Sequence, residues 1–164
     1  MRKLQLVLIV TLVAAFTWSA PTPPAQASGH VQEDIAVDLS TARARILAET
    51  NAARASVGLA AVAADLALDT ISQACAETQS GIDLMAHCDG YHTHYPTGWT
   101  WAAENVAAGY AADGVVAGWM DSPGHRANIL DPSATHIGIG YAVSTSGTTY
   151  FTQNFASYPP WVQR

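Results

Sequence analysis

Ile137, Ile139, Tyr141 and Val143 alternate with His136, Gly138, Gly140 and Ala142, and Tyr150 to Phe155 forms a second aromatic and β-branched run shortly after. A two-residue period puts alternate side chains on opposite faces, which is the pattern of a strand and not of a helix. Ser146-Gly147 between the runs is a turn signal, so the chain is predicted to close with an antiparallel hairpin. Val106 and its neighbours offer a third strand, although the alanine-rich stretch Ala107 to Ala112 has weak β propensity.

The preceding residues read as helices. Ser40 is a good N-cap for a first helix from Thr41, which Gly58 would end. Asp65 can cap a second helix to about Thr78, with Leu68, Ile71 and Cys75 on one buried stripe. Asp113 can cap a third, with Val115, Val116 and Trp119 facing inward and Pro123 ending the run near Ser122. One further helical turn is expected at Arg126 to Leu130. Helices before and beside a small antiparallel sheet define an α+β architecture. Between Gly81 and Trp99 the chain has no sustained period apart from a short turn at Ile82 to Met85, and long loops of this kind are often functional.

The N-terminus carries Met1-Arg2-Lys3, an apolar run from Leu4 to Phe16, and small residues at Ala25-Gln26-Ala27. That three-part pattern predicts a secretory signal peptide over 1–27. The apolar run is too short to span a bilayer, which takes about 20 residues, and no cysteine near the cleavage position offers a lipid attachment point. After cleavage the expected organisation is a flexible arm at 28–39, one domain at 40–158 and a short tail at 159–164. Export would make the protein extracellular or periplasmic, without stable membrane insertion.

Loss of Arg2 and Lys3 from seven basic residues leaves five against thirteen acidic ones, a net charge of about −8. Such a chain repels nucleic-acid phosphates and anionic lipid head groups. Cys75 and Cys88 are an even pair in an oxidising destination and are predicted to form a disulfide closing a loop of about 14 residues. Such a bridge contributes about 3 kcal/mol in the loop-entropy account. The alternative is two buried thiols.

The chemistry-bearing residues concentrate in Ala103-Glu104-Asn105-Val106 and in Trp119-Met120-Asp121-Ser122-Pro123-Gly124-His125-Arg126-Ala127-Asn128-Ile129-Leu130. A carboxylate and a histidine on apolar, glycine-punctuated frames suit a metal or proton-transfer pocket. With Asn51 and Arg54 in the first helix, His87 before Asp89-Gly90, Gly138-Ile139-Gly140-Tyr141 and the run Tyr150 to Phe155, these segments resemble the CAP superfamily. That superfamily comprises cysteine-rich secretory proteins, antigen 5 and pathogenesis-related class 1 proteins, and the likeness, from about Ile46 to Phe155, is to its bacterial branch. The resemblance implies a three-layer α-β-α sandwich. It also implies a cleft lined by two histidines and two acids able to hold zinc or another divalent cation.

Carried over by position, the first histidine is His87, the first acid Glu104 and the second histidine His125. The fourth position departs from the pattern: Ser122 stands where many eukaryotic members have Glu, and its neighbour Asp121 points roughly 100° away around a helix. Asp121 and Ser122 therefore enter only as accessory cleft residues. Two His and one Glu still make a three-ligand divalent site, whereas a pair of acid/base carboxylates can no longer be assumed. Ala103 in place of the family's common Gly is a smaller departure.

His92 and His94 offer a local alternative cluster with His87, although a solvated loop is the simpler reading. His136, Arg126 and Asn128 read as structural. No G-x-S-x-G elbow is present, and Cys88 beside His87 does not make a nucleophile pair, because adjacent residues in extended chain face apart. Trp99, Trp101, Trp119, Tyr91 and Tyr95 line a cleft or cover the core. The preferred function is binding of a small molecule, a lipid or a cell-envelope component with an optional divalent metal, more in keeping with a binding protein than an enzyme. A metal-assisted hydrolase and a structural adhesion module of the envelope are the alternatives.

Overall fold

The hairpin expected at the C-terminus is the centre of a four-stranded sheet. In a computed structural model describing residues 28–162, β3 (His136–Val143) pairs antiparallel with β4 (Thr149–Ser157), and β4 pairs antiparallel with β2 (Trp101–Ala108). The predicted signal peptide lies outside the described residues. A two-residue strand, β1 (Ala63–Ala64), adds parallel to β3, giving the order β1-β3-β4-β2 with β2 at one free edge. Pairing with β4 along its length overrides the weak β propensity of the alanines in β2. Among the described residues no helix is long and apolar enough to cross a membrane.

Helices α1 (Ser28–Ala55), α3 (Val115–Asp121) and α4 (Pro123–Ile129) cover one face, and α2 (Leu66–Ile82) covers the other. This is the three-layer α-β-α sandwich. On the first face Ile46, Val115, Val116, Trp119 and Ile129 pack on Ile137, Ile139, Phe151 and Phe155, all buried. On the second, Gly138 and Gly140 present bare backbone to α2. A Cβ on either would overlap main-chain atoms of Leu68 or Ser72, so glycine here is a requirement of close helix–strand approach.

That approach also closes the outer edge of β3 beyond the short β1. Asp69 Oδ1 accepts from the Ile139 N–H at 2.8 Å, Gln73 Oε1 accepts from the Tyr141 N–H at 3.1 Å, and Gln73 Nε2 donates to the Tyr141 carbonyl at 2.9 Å. Arg43 of α1 donates from Nε to the Ile139 carbonyl at 2.7 Å. An exposed ladder edge is thereby satisfied by side chains.

Several boundaries differ from the sequence reading. The α1 helix begins at Ser28, so Ser40 is interior; no proline lies within 28–40. Asp65 does cap helix α2, its carboxylate accepting from the Ala67 and Leu68 N–H groups at 2.9 and 3.1 Å, but the helix continues to Ile82. Asp83 in the left-handed region then ends it in place of the turn expected at Ile82 to Met85. Gly114, and not Asp113, precedes α3, and Pro123 both stops α3 and opens α4 as its first residue.

The buried Arg54 locks the layers together. Its guanidinium donates to the carbonyls of Ala60, Ile129, Asp131 and Ala134 at 2.8–3.2 Å, tying α1 to the end of α4 and the approach to β3. Asn51 pairs with both backbone groups of Val62 just beside it. Each loop group so held is buried polar backbone that would otherwise be costly.

The glycine requirement is specific. Gly138→Ala is expected to lower stability by about 3 kcal/mol or more, because backbone must separate from backbone. Gly81→Ala, in α2 with open space around it, should raise stability by roughly 0.5–1 kcal/mol. Equilibrium denaturant unfolding of the two variants measures both, and equal stabilities would contradict the packing described.

Candidate functional site

Glu104 and Asn105 are consecutive residues of β2 and face opposite layers. The Glu104 carboxylate lies on the α2 side and is almost wholly buried, its side chain 1% exposed. The Glu104 Oε1 atom is 2.8 Å from His87 Nδ1 and accepts from the Cys88 N–H at 3.1 Å, while Oε2 lies 3.6 Å from Cys75 Sγ. Cys75 of α2 and Cys88 of the following loop are joined in a disulfide, as expected. The bridge fixes the loop residue whose N–H holds the carboxylate, with His87 immediately before it.

Asn105 faces the other way and anchors α4. Its Nδ2 donates to the His125 carbonyl and to Gln153 Oε1, both at 3.2 Å, and its Oδ1 accepts from Asn128 Nδ2 at 2.9 Å. Asn128 also donates to the Glu104 carbonyl at 3.2 Å, and Gln153 donates to Thr50 Oγ1 of α1 at 2.8 Å. A buried polar chain from α1 through the sheet therefore sets where α4 lies on the free edge of β2. His125 is carried on α4, whose backbone this network holds against β2, and His87 meets Glu104 from the loop after α2.

Burial governs the electrostatics. Desolvation raises the Glu104 pKa, opposed by the His87 and Cys88 hydrogen bonds and the His87 charge. Desolvation lowers the His125 pKa, with the nearby His87 charge adding to it, and both favour the neutral imidazole. Despite this electrostatic proximity, the donor atoms of His87, Glu104 and His125 do not all gather within 4.8 Å. Among the described residues only Cys75, Cys88 and Glu104 do so.

Asp121 is exposed at the last residue of α3, and Ser122 is the half-buried link to α4. Among the described residues neither side chain is hydrogen-bonded to His87, Glu104 or His125. His92 and His94 lie in a 3-10 turn, Tyr91–His94, not in extended chain, which removes the spacing that would have aligned them with His87. The His92 ring packs edge-on to Tyr91 and Trp99. His136 packs on Tyr158, and Arg126 and Asn128 bond backbone carbonyls, all structural roles.

A groove of about 370 Å³ opens beside the disulfide, between α2 and the loop, with Ile71, Ala74 and Tyr91 as its apolar wall. Behind it Tyr95 and Tyr158 are buried, Trp99 is half-buried, and Val162 of the expected C-terminal tail packs on this cluster. Trp119 belongs to the opposite core, where its indole N–H donates to the Val106 carbonyl. The sequence reading named Asn105 within its motif and Ile71 as a buried-stripe residue, but it missed the network partners Gln153 and Thr50 and the groove that Ile71 and Ala74 line. The polar residues Thr152-Gln153-Asn154 between the aromatic ends of the strand run were the available signal for the buried network.

Residues 47–155 match the profile of the CAP cysteine-rich secretory protein family. The chain belongs to that family. Over 55 residues it is 51% identical to the uncharacterized protein YkwD of Bacillus subtilis, a match covering 33% of this chain and 20% of that protein, so the chain spans about a fifth of that relative. An extracellular SCP-domain protein of Bacillus anthracis shares the fold with a TM-score of 0.64 at 24% identity, covering 85% of this CAP chain and 45% of the other. NaASP2, solved with Zn²⁺, aligns with a TM-score of 0.55 at 13% identity, covering 70% and 78%. At these identities the structural likenesses carry the fold alone.

The buried Glu104 of this CAP domain has a testable cost. With its folded pKa raised, its proton is held more tightly in the folded state, so its favourable contribution is present at acid pH and lost as pH rises through the folded value. Glu104→Gln keeps an oxygen acceptor for the Cys88 N–H and removes the buried charge. Thermal unfolding should show the variant more stable at neutral pH by on the order of 1 kcal/mol, with the advantage shrinking toward pH about 4. A variant less stable than wild type at neutral pH would contradict the desolvation account.

Proposed function

We propose that this CAP domain acts after export as a binding module in which His87, Glu104 and His125 hold a divalent cation beside a ligand groove. The observation that carries the reading is the nearly complete burial of Glu104 at the β2 edge, in contact with a histidine that is 62% exposed. A carboxylate kept out of water at a cost in stability is a mark of a functional site. The donor chemistry fits zinc: two imidazoles and one carboxylate leave coordination positions for water or ligand, and burial favours the neutral form of His125. The zinc in NaASP2 supports the same choice of cation.

When bound, the cation would supply a Lewis-acidic contact for a polar group of the ligand. The groove wall of Ile71, Ala74 and Tyr91 suits the apolar part of a small molecule, a lipid or a cell-envelope component. The domain's acidic balance disfavours nucleic acid. A hydrolase would need a second acid or base at the ion, and the exposure of Asp121 gives that reading no support.

Calorimetric titration with zinc tests the assignment. Wild type should bind one ion at neutral pH, His125→Ala should lose at least about 10-fold in affinity, and His92→Ala should be unchanged. Acidification below about pH 6 should weaken wild-type binding, because an imidazolium cannot coordinate. Unchanged affinity in a folded His125→Ala would overturn the reading, and a loss confined to His92→Ala would move the site to the 3-10 turn.

A further inference from the structure

The Cys75–Cys88 bridge closes a second donor set that differs in kind from the imidazole site. One sulfur from each cysteine and a Glu104 carboxylate oxygen all lie within 4.8 Å of one another. While the sulfurs are bonded to each other they carry no charge and offer no thiolate. Reduction changes that, and with the bridge open the Cys88 N–H contact to Glu104 and the place of Cys75 on α2 still keep the three groups near one another.

We propose that reduction of this disulfide creates a thiolate-rich zinc site made of Cys75, Cys88 and Glu104, with His87 adjacent as a further donor. The proposal shares Glu104 with the imidazole site but rests on the sulfurs, which that site does not use. The redox step is an exchange with a dithiol. The Cys75–Cys88 bond breaks, the two electrons and two protons come from the dithiol, and the dithiol leaves as its own disulfide. Zinc then binds Cys75 Sγ and Cys88 Sγ as thiolates, and the two thiol protons pass to solvent.

Three features favour this outcome over two idle thiols. Cys75 is 4% exposed and the Glu104 carboxylate is buried against it at 3.6 Å, so two thiolates beside a carboxylate call for a divalent counter-charge. Gln79, itself 2% exposed, places Nε2 3.4 Å from Cys75 Sγ, where its N–H can donate to a metal-bound thiolate. Its Oε1 has no hydrogen-bond partner among the described residues, leaving a buried acceptor for a thiol or a metal-bound water. Both cysteines also line the groove of about 370 Å³, which gives a small dithiol access to the bridge. Thiolates select soft or borderline ions, so zinc or its spectroscopic substitute cobalt is favoured over calcium or magnesium.

The test is anaerobic titration of the full secreted chain with Co²⁺, before and after reduction with dithiothreitol and desalting, with far-UV circular dichroism to confirm that the reduced protein is folded. The reduced protein should take up one Co²⁺ with a sulfur-to-cobalt charge-transfer band and tetrahedral visible bands, lose them to one equivalent of Zn²⁺, and have both thiols protected from alkylation. Oxidised protein should show no charge-transfer band, whatever its histidines bind, which keeps this result separate from the imidazole site. Glu104→Gln should weaken the reduced-state affinity by at least about 10-fold. Absence of the band in reduced protein, an affinity unchanged by Glu104→Gln, or loss of fold on reduction would each overturn the proposal.

Discussion

A carboxylate taken out of water and held by one backbone N–H is the interaction around which this domain is arranged. Glu104 cannot be buried on β2 unless something answers its charge, and what answers it comes from the loop after α2: the Cys88 N–H and the His87 ring. That loop has no regular ladder of its own to place it. The disulfide to Cys75 supplies the placement, which makes the bridge part of the site as much as a constraint on the unfolded chain.

The strand's period of two then distributes the work between layers. Glu104 turns toward α2 and its neighbour Asn105 turns toward α1 and α4, where it fixes the His125 backbone through a network reaching Gln153 and Thr50. Each member of that network is fully or partly buried, so deleting one would strand its partners without water. The bare glycines of β3 let α2 approach closely enough for Asp69 and Gln73 to seal the strand edge, and α2 in turn carries Cys75 to Glu104. Arg54 holds the far end of α4 by its carbonyls, so both ends of the segment bearing His125 are tied to the frame.

Much of this was legible because local physics and tertiary packing agree. The alternation at 136–143, the Ser146-Gly147 turn and the Asp65 cap each describe a local preference that the fold keeps. The even cysteine pair anticipated the disulfide. What escaped was decided at a distance. A two-residue strand of alanines has no propensity signal and exists because Asn51 and the Thr135 carbonyl hold its flanks. The continuation of α2 to Ile82 is set by the left-handed Asp83, whose carboxylate accepts from Tyr150 of β4. The residues of the cluster could be named from resemblance to the CAP family, but their spacing in space could not. His87 and Glu104 touch, whereas the donor atoms of His87, Glu104 and His125 do not gather as one group.

Zinc-edge anomalous diffraction from crystals of the oxidised protein soaked in zinc at neutral pH tests the claim that Glu104 is where the cation is held. One strong peak is expected about 2.0–2.2 Å from the Glu104 carboxylate, with His87 and His125 drawn in as the other protein ligands. A peak elsewhere, with the His87–Glu104 hydrogen bond intact at 2.8 Å, would contradict it.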